Sequence, residues 1–151
     1  MAAFLDRERS PDLPNAMGIL AGLTTDATVA QVAQATINGV VLGLLEGLDA
    51  ISKSASTDGH LIAAGGGAKT VAYRQTLADF LQREVLVLEA PGATARGAAL
   101  QAASVLSQRP ISQLRDAWRP AVAAVTEPKT VLPPSIRQGY RELAQHRRMD
   151  R

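Results

Sequence analysis

The chain has 151 residues, of which 46 % are apolar and 20 % charged, the size and composition of about one globular domain. It contains no cysteine, so disulfides and cysteine chemistry are excluded, and a reducing cytoplasm is permitted. The net charge is only +2, and the basic residues that follow Arg109 are dispersed with little aromatic interleaving, so we expect no nucleic-acid partner.

The first segment, residues 1–26, is expected to be an irregular lead-in. Pro11, Pro14, Gly18 and Gly22 interrupt it, and these residue types mark turns and loops. Its start, "MAAFLDRERSPDLP", shows no basic stretch followed by an apolar one, so we expect no signal peptide.

A long helix is predicted from about Ala27 to Ser52, because apolar residues recur there at helical spacing after the N-cap candidates of "TTDAT". Its most apolar window is short for a membrane span and contains two carboxylates, so we expect no transmembrane helix. Gly39, Gly43 and Gly47 lie four residues apart on this helix. We interpret them as a face that packs closely against another backbone; a ligand running along the groove is the alternative.

The middle of the chain predicts strand, glycine loop, helix, strand and helix. The apolar run before the glycines and the run "EVLVLE" have the character of buried strands, and helical spacing follows each of them. The expected elements are a strand at His60–Ala64, a helix from about Lys69 to Gln82, a strand at Val85–Leu88 and a helix from about Thr94 to Ser107.

Pro110 ends that region, and a weaker helix is predicted from about Ile111 to Val125. A loop and a final helix from about Ser135 to Arg147 complete the chain, which divides into a helix and strand core, 27–125, and a C-terminal part, 126–151. The fold class is α/β, helix-rich with a short parallel strand pair. Two strands alone are not a stable sheet, so the sheet is expected to be incomplete.

The run "GGGAKT", Gly65 to Thr70, has the strand–loop–helix setting of an anion site. It fails the Walker A pattern, because Ala63 and Ala68 stand where that motif needs glycines. It fits the dinucleotide fingerprint in part: Thr70 replaces the third glycine, and Glu89 lies near the expected acid. An NAD(P)-binding Rossmann module therefore stays open as an alternative.

The surrounding sequence resembles the C-terminal region of the FGGY family of carbohydrate kinases, most of all its xylulokinases. The matching features are "GGGAKT", the RQ and AD pairs at 74–75 and 78–79, and "GAA" at 97–99. The front end, "FLDRERSPDLPNAMGILAGLT", is similar to the family pattern "YLDGERTPNLPNARGVLFGLT". Asn38–Gly39 stands where the family often has Glu-Gly, and "YREL" near the C-terminus resembles its closing helix.

The resemblance implies part of a ribonuclease-H-like, or actin-like ATPase, domain: residues 1–151 would be a partial C-terminal ATP-binding lobe. Gly65, Gly66 and Gly67 would let the backbone approach the adenosine and α-phosphate side of ATP, with Lys69 beside the nucleotide and Thr70 near the adenine. The implied reaction is ATP-dependent phosphorylation of D-xylulose in the cytoplasm, or of another sugar or polyol.

The resemblance also implies what this chain does not supply. The catalytic base, the Mg²⁺ ligands and the sugar-binding lobe belong to other parts of such kinases, and we find no catalytic or metal-binding candidates here; His60 and His146 lack metal-ligand spacing. We therefore expect the chain alone to be inactive. A non-catalytic nucleotide-binding module is the alternative, and a homodimer of the parent enzyme is one assembly that the family allows.

Overall fold

The computed structural model describes residues 1–3, 8–9 and 12–145, which form two compact units. The helical unit combines Met1–Gly59 with the chain from Thr130 onward, and the sheet unit is His60–Lys129. The elements in chain order are β1 (Glu8–Arg9), β2 (Asp12–Leu13), α1 (Val29–Ser52), β3 (Leu61–Ile62), α2 (Val71–Leu81), β4 (Val85–Leu88), α3 (Ala93–Ser107), α4 (Ile111–Ala117), β5 (Val122–Thr126) and α5 (Pro134–Gln145).

The N-terminal segment is more regular than its turn residues predict. β1 and β2 pair in antiparallel register. Ala2 and Ile19 also exchange two backbone hydrogen bonds of 2.8 Å. These pairings are only one or two residues long, too short to leave an alternating hydrophobic pattern in the sequence, and the expectation of an irregular lead-in did not include them.

Helix α1 begins at a capping box. The Thr28 hydroxyl accepts a hydrogen bond from the Gln31 backbone N–H at 3.2 Å, and the Gln31 side chain accepts one from the Thr28 N–H at 2.8 Å. Two backbone donors that the helix leaves without partners are thereby satisfied. The long helix and its N-cap within "TTDAT" are confirmed, and the buried positions of α1 are Gly39, Val41, Leu42 and Leu45.

By length and composition alone, α1 could cross a membrane, and it is the one described helix with that property. This is weak evidence, because a core helix of a folded domain has the same composition. In this structure two of its carboxylates, Glu46 and Asp49, form ion pairs with Arg137 and Arg141 of α5.

The sheet of the sheet unit has three strands in the order β3–β4–β5. β3 and β4 are parallel, with Leu61 opposite Val85, whose side chain is fully buried. β5 adds to β4 in antiparallel register. The predicted parallel pair and the small, incomplete sheet are confirmed, and the sheet is mixed rather than wholly parallel.

The predicted helix from Ile111 to Val125 is wrong in its second half. α4 ends at Ala117, and Val122–Thr126 form β5. Pro120 explains the break, since proline lacks a backbone N–H and disfavours helical geometry in the residue before it. The residues that follow combine Val and Thr, which favour strands, with Ala, which favours helices, and they pair with the free edge of β4.

The remaining helices lie close to their predicted positions. α3 begins one residue before its prediction and ends at Ser107 as predicted, although none of its residues is buried. α5 begins at Pro134, and Tyr140 is its buried residue. The predicted end of that helix, Arg147, and His146 lie outside the described residues.

Candidate functional site

The three consecutive glycines form the connection between β3 and α2. The Ala63 N–H donates to the Leu86 carbonyl at 2.9 Å, which extends the pairing of β3 to the edge of the loop. Gly65 then adopts a φ of +93°, in the left-handed region that a glycine adopts without steric penalty. A short 3-10 turn, Gly67–Lys69, leads into α2. The predicted strand, glycine loop and helix are thus confirmed as a local structure.

The glycine loop, Gly65–Gly67, is exposed, and its own chain leaves space around it. A Cβ atom added at Gly65 or Gly66 would meet no atom of the described chain within 4 Å. At Gly67 the nearest atoms belong to the ring of Tyr73, 3.7 Å away, an ordinary van der Waals distance. Packing within the described chain therefore does not explain why residue 66 has no side chain.

In the described structure, the glycine loop and the start of α2 contain several backbone N–H groups that have no backbone acceptor. Lys69 and Thr70 use their N–H groups to bond the carbonyls of Gly66 and Gly67, at 3.2 and 3.0 Å. Within the described part of the chain, the N–H groups of the three glycines form no backbone hydrogen bond. The first N–H groups of α2 also lack intrahelical acceptors, as at every helix start. The loop and the positive end of α2 together suit an anionic group.

The two side chains predicted to accompany the glycines lie on the same loop. Lys69 ends the 3-10 turn and is exposed. Thr70 is the N-cap of α2, yet its side chain makes no capping hydrogen bond, so its hydroxyl is not committed to the helix. Ala68 between the turn residues is 2 % exposed and anchors the turn in the unit. All five predicted binding residues therefore share one exposed surface.

A guanidinium group supports the loop from the side of the sheet. Arg74 Nη1 donates to the Ala68 carbonyl at 2.6 Å, and Arg74 Nε donates to Thr126 Oγ1 of β5 at 3.3 Å. The sequence drew attention to Arg74 only through the family resemblance. No spacing rule could have given it this role, because its partner Thr126 lies 52 residues away.

Gln75 and Asp79 of α2 bond to the chain just after β5. Asp79 Oδ1 accepts hydrogen bonds from the Lys129 backbone N–H at 2.7 Å and from Gln75 Nε2 at 2.9 Å. Gln75 Nε2 also donates to the Glu127 carbonyl at 3.0 Å. Asp79 thus has a structural role in this unit.

The ring of Tyr73 lies beside Gly67 at the end of the glycine loop. Partial burial raises the pKa of its hydroxyl above the ordinary value, because burial disfavours the charged phenolate. A phenol is already neutral at physiological pH, and the direction of this shift does not change that.

The glycines of α1 show a different environment. A Cβ at Gly39 would lie 2.5 Å from the carbonyl oxygen of Met1, and one at Gly43 would lie 3.2 Å from the hydroxyl of Tyr140. Gly47 has nothing within 4 Å. The expected close packing against another backbone is confirmed at Gly39. At Gly43 the neighbour is a side chain instead, and at Gly47 the prediction of close packing is wrong.

The helical unit also contains a cluster of four charged residues between α1 and α5. Arg137 contacts Glu46 at 3.1 Å and Asp49 at 2.5 Å, and Arg141 contacts the same two carboxylates at 3.0 and 3.2 Å. Burial alone would lower the pKa of Arg137, but the hydrogen bonds and charges of Asp49 and Glu46 outweigh it and raise that pKa. The cluster is a structural link between two helices.

An open cavity of about 500 Å³ lies in the helical unit, lined by residues of the N-terminal segment, α1 and α5. Among the residues that the structure describes, no group of three His, Asp or Glu side chains could hold a metal ion.

Comparison with known proteins assigns the class. Residues 2–106 match the model of the FGGY family of carbohydrate kinases, C-terminal domain. A xylulose kinase from Streptomyces coelicolor is 38 % identical over 125 residues, covering 82 % of this chain and 26 % of that protein.

Solved structures have the same fold. The xylulose kinase from Bifidobacterium adolescentis superposes with a TM-score of 0.70 at 28 % identity, over 95 % of this chain and 28 % of that one. The xylulose kinase from Lactobacillus acidophilus superposes with a TM-score of 0.72 at 22 % identity, over 95 % and 29 %.

The fold is that of the actin-like ATPase class to which these sugar kinases belong. The chain belongs to the FGGY family of carbohydrate kinases, whose members are phosphotransferases, and it corresponds to their C-terminal domain. It spans about a quarter of the length of the curated relatives that it matches.

Proposed function

We propose that this chain is a partial C-terminal ATP-binding lobe of an ATP-dependent sugar kinase that acts on D-xylulose. The observation that carries the proposal is its 38 % identity to a xylulose kinase over 82 % of its length. In the proposed reaction a sugar hydroxyl attacks the γ-phosphorus of ATP, its proton passes to a base, and the bond to the leaving ADP oxygen breaks. The products are ADP and D-xylulose 5-phosphate, and the reaction takes place in the cytoplasm.

The glycine loop is the proposed nucleotide contact. Gly65, Gly66 and Gly67 would present backbone N–H groups to the adenosine and α-phosphate side of ATP, and the open space at Gly66 supports this. Exposed Lys69 would add a positive charge, and the uncommitted hydroxyl of Thr70 would contact the adenine. The loop fits an anionic nucleotide, which supplies the phosphoryl group when bound.

Mg²⁺, the sugar and the proton-accepting base are proposed to be held by parts of the kinase that this chain does not contribute. The proposal includes no membrane or nucleic-acid partner for this chain. A homodimer of the whole kinase is a further part of the proposal.

Calorimetry on the full 151-residue chain tests the nucleotide assignment. We expect ATP and AMP to bind, because the contacts lie on the adenosine side, and AMP to displace ATP. NADH should not bind. Binding of NADH without binding of ATP would favour the dinucleotide module instead and overturn the kinase proposal.

A chimera tests the role of the segment in a complete enzyme. The 125 matched residues replace their counterpart in the Streptomyces coelicolor xylulose kinase, and D-xylulose-dependent release of ADP is measured. We expect activity in the chimera and none in the 151-residue chain alone. A folded chimera that binds D-xylulose but neither binds nor hydrolyses ATP would contradict the proposal.

A further inference from the structure

We propose that Arg74 is a positioning residue that sets the conformation of the glycine loop by joining it to β5. The role in nucleotide binding rests on the proposed function; the role in loop conformation does not. The observation is one side chain with two partners: Nη1 bonds the Ala68 carbonyl at 2.6 Å, and Nε bonds Thr126 Oγ1 at 3.3 Å.

The loop needs such a support because its own bonds are few. The 3-10 turn is closed by two backbone hydrogen bonds, from Lys69 and Thr70 to Gly66 and Gly67. Glycine has more backbone freedom than any other residue, so three in succession leave the loop free to adopt many conformations. A chain that presents N–H groups to a ligand binds better when it is already ordered, since ordering costs binding free energy.

The geometry of arginine suits this position. The planar guanidinium carries donors that point in fixed directions, so one group bonds the turn and the strand at the same time. A bond from a charged donor is also stronger than a neutral one. A lysine has a single donor centre on a flexible stem and cannot keep both partners in the same way.

The position of the acceptor explains how the effect reaches the loop. Ala68 lies inside the 3-10 turn, directly after Gly67, and its methyl group is buried. Holding its carbonyl fixes the end of the glycine run, while β3 fixes the beginning. On the sheet side, Thr126 ends β5 opposite Val85, the fully buried residue of β4. The loop is thus joined through Arg74 to the end of β5 that pairs with a fully buried residue of β4.

The first test uses NMR on the ¹⁵N-labelled chain without any ligand. In Arg74→Met we expect the amide order parameters of Gly65, Gly66 and Gly67 to fall from the rigid range of about 0.85 to below about 0.6. Arg74→Lys should give an intermediate value. Unchanged order parameters in Arg74→Met would overturn the inference, whether or not the chain binds ATP.

The second test is a double-mutant cycle on ATP binding. Arg74→Met should weaken binding about tenfold, the loss expected when one charge-assisted bond no longer orders the site. Thr126→Val should weaken it about threefold, and adding Thr126→Val to Arg74→Met should cost nothing more, because the shared bond is already lost. Full additivity of the two effects would contradict a bridging role for Arg74.

Asp79→Asn is the matched control for general loosening of the unit. Asp79 lies on the same helix and accepts hydrogen bonds from the Gln75 side chain and from the Lys129 backbone N–H. We expect Asp79→Asn to leave the loop order parameters and ATP binding unchanged even where it lowers thermal stability. If it loosens the loop as much as Arg74→Met does, the effect of Arg74 is general destabilisation and the inference fails. Absence of ATP binding in the unaltered chain would overturn the proposed function alone.

Discussion

The two glycine-rich regions of this chain use the same residue for opposite reasons. On α1, a Cβ atom at Gly39 or Gly43 would lie close to atoms of the protein itself. These are the Met1 carbonyl oxygen at Gly39 and the Tyr140 hydroxyl at Gly43. In the glycine loop, Gly65 and Gly66 face open space. The spacing of glycines in the sequence does not show whether they allow the chain to pack against itself or leave space for a ligand. The atoms around each glycine in the structure distinguish the two cases.

The largest effect is expected at the closed glycine of α1. In Gly39→Val the new side chain would overlap the Met1 carbonyl oxygen, which lies 2.5 Å from the Cβ position, and backbone must move to relieve it. We expect a loss of about 3 kcal/mol in unfolding free energy, measured by chemical denaturation followed by circular dichroism.

Gly47→Ala is the control for that experiment. It lies on the same helix with nothing within 4 Å of its Cβ position, so alanine should stabilise by about 1 kcal/mol through helix propensity. Equal destabilisation by both substitutions would remove the distinction between closed and open positions on α1.

The open glycine should respond in the reverse way. Gly66→Val places its side chain in solvent, so we expect the unfolding free energy to change by less than about 0.5 kcal/mol. ATP binding should weaken about thirtyfold, because the added methyl groups fill the space proposed for the nucleotide. Calorimetry measures the affinity; an unchanged affinity would show that the open space at Gly66 is not the nucleotide position.

The charged cluster between α1 and α5 should contribute less to the unfolding free energy than the close packing at Gly39. Arg137→Met removes contacts to both Glu46 and Asp49, and we expect a loss of about 1 kcal/mol that shrinks at high salt, since all these groups are partly exposed. Denaturation at low and high ionic strength measures it. Arg119→Met, which breaks only an exposed pair with Asp116, is the control and should have no measurable effect.

The smallest effect concerns an exposed carboxyl before α1. A hydrogen bond from the Thr24 side chain, with one from its own backbone, lowers the pKa of Asp26 below its ordinary value. The folded form therefore favours the carboxylate, and this contribution is present above the ordinary pKa and lost as pH falls through the lowered one. NMR titration should show the pKa of Asp26 rising toward its ordinary value in Thr24→Val. No change in that variant would mean that the bond is absent in solution.

The sequence predicted those elements whose own residues have a clear hydrophobic pattern. The apolar spacing of α1, the stripe of α2 and the apolar run of β4 each predicted an element within two residues of its observed bounds. β5 was missed because its Ala/Val-rich residues form a strand only when β4 offers an edge, which is a long-range condition.

The site shows the same limit. "GGGAKT" predicted the loop and its position before a helix, since glycine runs and helix starts are local features. The support of that loop by Arg74 depends on Thr126, which a single sequence does not connect to it. Whether Gly65 to Thr70 bind ATP remains a prediction for calorimetry.

Helix α3 has a consequence for how the protein opens. It is 15 residues long, none of them buried, and Val105 and Leu106 are 81 % and 89 % exposed. A helix of that length is marginal in water without packing. Its amides should therefore exchange with solvent through a local opening that leaves the rest of the sheet unit intact, at a lower free energy than those of β4. Within the sheet unit, α3 should therefore open before β4, and covering this helix should slow the exchange of its amides.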